Sequence, residues 1–243
     1  MLALLFKEVR SFFSSLTGYL ILAVFLIATG LFIWVFPGDS NPLDTGYANL
    51  DVLFEIAPWI YLFLIPAVCM RLFVDEKKQG TMELVFTRPI SDMGIILAKY
   101  FAAFLVIAFT LLFCLVYFAS IYYLGSPMGN LDLGAFWGSF IGLFLLAGVY
   151  VSIGVLASAL SDNQVVAFLL ALVLCFVFYI GFDYLAEWQV LETLQTFIFS
   201  IGINEHYRSI SRGIVDSRDL TYFFGVIIAF ILITRTVLQS RKW

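Results

Sequence analysis

A chain of 243 residues that is 63% hydrophobic and 12% charged carries about half the charge of a soluble domain, and no water-soluble fold of this length hides that much apolar side chain. Its formal net charge of −4 gives no reason to expect a nucleic-acid partner, and the placement of the charges says more than their sum. The apolar residues are gathered into long uncharged runs, so the expected solvent is lipid and the expected class is an all-α polytopic membrane protein. Lipid offers the backbone no hydrogen-bond partners, so runs of this length must form helices, and the ten-residue alternation of a transmembrane barrel does not occur.

In residues 2–15, Leu4, Leu5, Val9, Phe12 and Phe13 recur at helical spacing while Lys7, Glu8, Arg10 and Ser14 take the other positions. That pattern predicts a short amphipathic helix in the membrane interface, with an ordinary N-terminal extension as the alternative. Thr17 and Gly18 then let the chain turn into a first span. The stretch is too polar after Leu5 and lacks a small-residue cleavage site, so no removed signal peptide is expected.

Six segments approach the 20 or so apolar residues that a spanning helix needs: 16–36, 56–74, 95–124, 133–160, 164–184 and 220–238. They form one membrane domain over residues 1–243. Arg71 and Arg235 lie near span ends, where long basic side chains reach the headgroups. The fourth span carries Gly138, Gly142, Gly148, Ser152, Gly154 and Ser158, small residues that let helices approach closely in lipid. Packing within the chain is the expected use, and packing between subunits is the alternative. Cys69, Cys114 and Cys175 each lie inside an apolar run and read as small hydrophobes.

With the N-terminus inside, Lys7, Arg10, Arg71, Lys77, Lys78, Arg88, Lys99, Arg235, Arg241 and Lys242 are cytoplasmic and only Arg208, Arg212 and Arg218 are outside. This bias predicts cytoplasmic termini in a cell inner membrane. The connections 37–55 and 125–132 are then external and hold Asp39, Asp44, Asp51, Glu55 and Asp132 with no basic residue.

The one sizeable cytoplasmic loop is DEKKQGTMELVFTRPIS, residues 75–91. Asp75 to Lys78 is a charged exit from the membrane, Gly80 permits a sharp turn and Thr81 is placed to cap a short helix. Glu83 favours the positive end of that helix's dipole, and Pro89 stops it after about two turns. Met82, Val85 and Phe86 fall on one face. Two turns are marginal in water, so the helix must dock on something, and a partner protein and the lipid surface both fit.

The charged cluster followed by Gly-Thr-x-Glu-Leu and Thr-x-Pro-Ile-Ser, directly after a span containing LIPAVCMRLF at 64–73, resembles ABC-2 type transporter permeases. The likeness extends to KEVRSFFSSLTGYL at 7–20 and SISRGIVDSRDLTYF at 209–223, and is nearest to the gliding-motility-associated branch. It implies six transmembrane helices with both termini inside, an elbow helix at 2–15 and a coupling helix at 81–88 that enters a groove of a separate ABC ATPase. It also implies a second permease, identical or related, and motion passed in through the coupling helix as ATP is bound and hydrolysed. ATP belongs to the partner, since no Gly-x-x-x-x-Gly-Lys-Ser/Thr phosphate loop exists here. No cofactor or catalytic residue is expected in this chain. The coupling residues are Gly80, Thr81, Met82, Glu83, Val85, Phe86 and Pro89.

The rest of the outer connection, 185–219, reads as solvated at Glu187, Glu192, Glu205, Asp216 and Asp219, with an apolar helix at 188–199 dipping into the outer leaflet. His206, the single histidine, cannot make a protein-only metal site and reads as a satisfied surface residue. Glu55, Asp183 and Arg235 lie close to span ends, and Trp34, Trp59, Tyr122, Tyr123 and Tyr184 suggest an aromatic belt. The rival reading is an ion-gradient-driven transporter or channel, which calls for charged or discontinuous helices at mid-membrane. The span centres are almost free of charge.

Overall fold

A computed structural model describes residues 1–38, 41–83, 90–186, 195, 199–213 and 216–240. Within these the chain is helical, as its apolar runs dictate, and no strand occurs among the described residues. Helix α1, Leu2–Ser14, is followed at once by α2, Leu16–Trp34, with a bend of 65° between them. Ser15 makes the corner: its backbone is extended, and its N–H and hydroxyl both return to the Phe12 carbonyl. The corner closes against Gly18, where a Cβ would stand 2.6 Å from the same carbonyl oxygen.

The later spans are α4, Asp51–Cys69, which runs through a turn into α5, Val74–Lys78; α6, Asp92–Phe113, with α7, Leu115–Leu124; α8, Leu133–Leu160; and α9, Gln164–Phe176. A π-helical turn, Val177–Gly181, joins α9 to α10, Phe182–Ala186, and the last span is α12, Ser217–Ser240. Short helices α3, Pro42–Thr45, and α11, Ile203–Ser211, lie between spans. Five of these segments are long and apolar enough to cross a membrane, and six when the bent α1–α2 pair is counted as one. The third run is one span, Asp92–Leu124, interrupted only by a turn at Cys114 between α6 and α7. Helix α6 starts at Asp92, before its apolar run, and a polar residue closes the first turn of α6, α8 and α9: Ser91 accepts from Gly94 N, Asp132 from Ala135 N and Asn163 from Val165 N.

Helix α8 is the axis of the molecule, buried on every side in its second half. The small residues serve contacts within the chain. A Cβ at Gly138 would come within 2.7 Å of Ile210 O and Gly213 Cα, and one at Gly154 within 2.6 Å of Cys69 Cβ. Gly148 faces Tyr100 and Ile227. Contacts along the bundle also fix direction. Phe54 meets Phe136 while Cys69 meets Gly154, so α4 and α8 run the same way. Phe104 meets Phe144 and Phe118 meets Phe136, so α6 with α7 runs the opposite way. Gln239 donates to Asp92 and Lys7 lies near Glu76. Both chain ends therefore share one end of the bundle with the loop after α5. Cys69, Cys114 and Cys175 are free and buried.

Candidate functional site

The base of the loop is the most heavily tied part of the chain. Lys99, about two turns into α6, is fully buried, where an unpaired ammonium would cost several kcal/mol. Its Nζ lies 2.9 Å from Glu76 Oε1 in α5 and 3.4 Å from Glu8 Oε1 in α1. It also donates to the Leu72 carbonyl, freed by the turn between α4 and α5, and stands 5.1 Å from the centre of the Phe73 ring. Lys7 stands 3.8 Å from Glu76 Oε1. One cluster thus joins α1, α5 and α6.

A second tie holds α5 to the end of α8. Lys77 Nζ donates to the carbonyls of Ala159 and Ser161, each at 2.7 Å, and lies 3.1 Å from Asp162. A cation there satisfies carbonyls that the helix itself leaves open and suits the negative end of its dipole. Ser158 Oγ accepts from Phe73 N and donates to Met70 O, and Gln164 donates to Asp75.

Beyond Lys78 the chain leaves this clamp by a Schellman turn. Thr81 N donates to Glu76 O, Gly80 N to Lys77 O, and Gly80 has φ +64°, the left-handed conformation that glycine adopts without penalty. The sharp turn expected at Gly80 is present. Thr81 hydrogen-bonds back to Glu76 and so closes the preceding helix. Met82 packs half-buried against the core of the bundle. Glu83 is exposed. Val85, Phe86 and Pro89 lie outside the described residues, so four of the seven coupling residues have a described place.

Sequence reasoning missed Glu8, Glu76 and Lys99 as a unit. In the sequence Lys99 reads only as one cytoplasmic charge; a lysine between Ile95-Ile96-Leu97-Ala98 and Tyr100-Phe101 is the available signal, since it needs a carboxylate partner. In the connection 185–219, Asp219 corrects the expectation of solvation: it is buried, and its Oδ1 lies 2.7 Å from His206 Nδ1. His206 Nε2 meets the Ser200 carbonyl at 3.0 Å and its ring stacks on Tyr222 at 3.8 Å. The histidine is satisfied, as expected, but half-buried between α11 and α12. Glu205 and Asp216 are exposed, and Glu187, Glu192 and most of 188–199 lie outside the described residues.

A search among curated proteins finds no match to this chain. The family model described as ABC-2 family transporter protein matches residues 2–239, which takes in every span, the clamp and the loop. The chain therefore belongs to the ABC-2 transporter family, the membrane permease components of ABC transporters, which pair with an ABC ATPase.

Proposed function

We propose that this chain is the permease subunit of an ATP-driven exporter of the gliding-motility-associated type, coupled to its ATPase through the segment that follows Gly80. Two permeases, identical or related, pair in the cell inner membrane above two ATPase subunits, with the loop end and both termini in the cytoplasm. The observation that carries this reading is the clamp. A short segment transmits force only if its root is rigid, and α5 is tied to α1, α6 and α8 at once. Gly80 then turns the chain away from this root. The charge bias along the sequence supports the sidedness.

The test is Phe86→Asp. A buried Phe side chain contributes about 1.5–3 kcal/mol, so a carboxylate in an apolar groove should dissociate the pair. Membrane level should stay near normal while co-purification of the ATPase and transport are lost; Asp132→Lys, in the connection 125–132, should retain both. Full ATPase association in Phe86→Asp refutes the coupling role and favours a helix lying on lipid. Single cysteines should react with an impermeant thiol reagent from outside at Asp132 and not at Gln79, native cysteines having been removed.

An ion-gradient-driven transporter is the second reading, favoured by one observation, the buried Lys99–Glu76–Glu8 cluster. That cluster stands beside the loop and about 10 Å from the start of α6 at 1.5 Å per residue, a position suited to anchoring. Collapse of the proton and sodium gradients with ATP maintained should leave transport intact.

A further inference from the structure

At the end opposite the loop, the first turns of α4 and α8 part from the π-helical turn and α11 around an open cavity of about 820 Å³. That volume holds a drug-sized molecule. Among the described residues four charges line it: Asp51, Glu55 and Asp183 against one cation, Arg208. Asn204 donates to Asp183 Oδ2 at 2.6 Å. The other oxygen, Oδ1, is buried and has no hydrogen-bond partner among the described residues. Arg208, on the same wall, makes no ion pair within 4 Å among the described residues. A carboxylate oxygen left unmatched beside a cavity is open to a donor from outside the chain.

Much of the remaining lining is aromatic. Trp59 stands edge-on to Tyr179, with ring centres 6.2 Å apart. Tyr179 belongs to the π-helical turn, a wound-out geometry frequent at functional sites. Beneath it Tyr150, fully buried, meets Tyr179 edge-on at 6.1 Å, and the Tyr150 hydroxyl also lacks a partner among the described residues. Tyr207 is fixed in the wall by its hydrogen bond to Phe54 O at 2.7 Å. Unmatched carboxylate, excess negative charge and aromatic rings select one chemistry, a positively charged nitrogen with an organic body.

We propose that this cavity binds an organic ammonium ion, with Asp183 as the ion-pairing carboxylate, Glu55 as a second anion, and Trp59 and Tyr179 against its hydrocarbon. Arg208 receives an anionic group where the same molecule carries one. Two sources share this chemistry, the ammonium headgroup of a membrane lipid and a soluble amine. That the bound ion is the transported substrate rests on the permease reading; that it binds does not.

The experiment uses the full chain in nanodiscs of phosphatidylglycerol, which contain no ammonium lipid, dialysed to equilibrium against radiolabelled benzyltrimethylammonium with empty discs subtracted. Saturable binding is expected, weakened tenfold or more by Asp183→Asn and several-fold by Glu55→Gln, and unchanged by Glu205→Gln on the exposed side of α11. Asn keeps an oxygen for Asn204, and an unchanged thermal unfolding curve identifies folded variants. Radiolabelled benzenesulfonate should not bind. Discs containing phosphatidylethanolamine separate the sources: a weaker apparent affinity shows that the headgroup competes for the site, and an unchanged one points to a soluble amine, both with the site intact. Absence of saturable binding, equal affinity in Asp183→Asn and Glu55→Gln, or tighter binding of benzenesulfonate overturns the proposal. No ATPase is present, so failure of Phe86→Asp to uncouple the partner leaves this result standing, and the reverse.

Discussion

At the loop end of the bundle, Lys99 is sealed from solvent and answered by the charges of Glu76 and Glu8 and by a freed carbonyl, although the buried Glu76 oxygens, like Asp183 Oδ1, have no hydrogen-bond partner among the described residues. At the opposite end, Asp183 keeps one oxygen without a hydrogen-bond partner among the described residues, beside an open cavity that Glu55 and Arg208 also line. The same residue types thus do different work according to how far their charge is matched. A matched and buried pair resists separation, since parting it strands a charge in a medium that cannot solvate it. An unmatched carboxylate at a cavity wall has its hydrogen-bonding capacity still to use. The first arrangement suits a part that must hold its shape under load, and the second a part that must accept something.

The comparison is broken most directly at Lys99. Lys99→Ala leaves the buried Glu76 with only the exposed and more distant Lys7 as a cation, and loss of one partner of a buried pair costs about 3–5 kcal/mol. Thermal unfolding in detergent should show a large fall in midpoint, and α1 should become accessible to protease. Lys99→Met combined with Glu76→Gln removes both charges and should recover much of the loss, since a neutral replacement of a buried pair is often tolerated. By contrast Asp183→Asn should shift the midpoint by less than about 1 kcal/mol, because no ion pair among the described residues is lost there. Similar losses in Lys99→Ala and Asp183→Asn would show that the two ends are not built differently.

The next effect concerns packing, and shows what the sequence discloses. Gly138 and Gly154 were legible as a close-approach stripe because spacing alone puts small residues on one helix. Gly138→Ala pushes a methyl group into the backbone of Ile210 and Gly213, and overpacking of this kind costs about 1–3 kcal/mol. Gly225→Ala, where a Cβ meets nothing within 4 Å, should be neutral or stabilising by up to about 1 kcal/mol. Equal effects of the two would remove close packing as the reason for the stripe.

The six apolar runs were legible for a similar reason, since lipid demands length and hydropathy that can be read locally. The clamp was not. Glu8, Glu76 and Lys99 sit in three separate elements, and no local period states that they meet. The cavity was hidden likewise. Glu55 and Asp183 read as charges near span ends, and nothing in Val177-Phe178-Tyr179-Ile180-Gly181 marks a π-helical turn before it is seen. The burial of Asp219 depends on His206 in another helix. Local chemistry was readable at Gly80, and contacts across the fold were not.

The smallest effect sharpens the comparison at the point where the rigid end gives way to the loop. Gly80 has φ +64° with open space around the site of a Cβ, so a side chain there is opposed by backbone conformation and not by crowding. Gly80→Ala should cost about 1–2 kcal/mol in that conformation, and the chain relieves it by re-aiming the residues that follow while Lys77 keeps α5 on α8. The unfolding midpoint should therefore move little. ATPase association should weaken by about five- to thirtyfold, the factor that corresponds to one or two kcal/mol. Gly80→Asn should be milder, because asparagine enters the left-handed region at less expense. A cost that appears wholly in the unfolding midpoint, with association unchanged, would place Gly80 in the clamp and leave the direction of the loop to other residues.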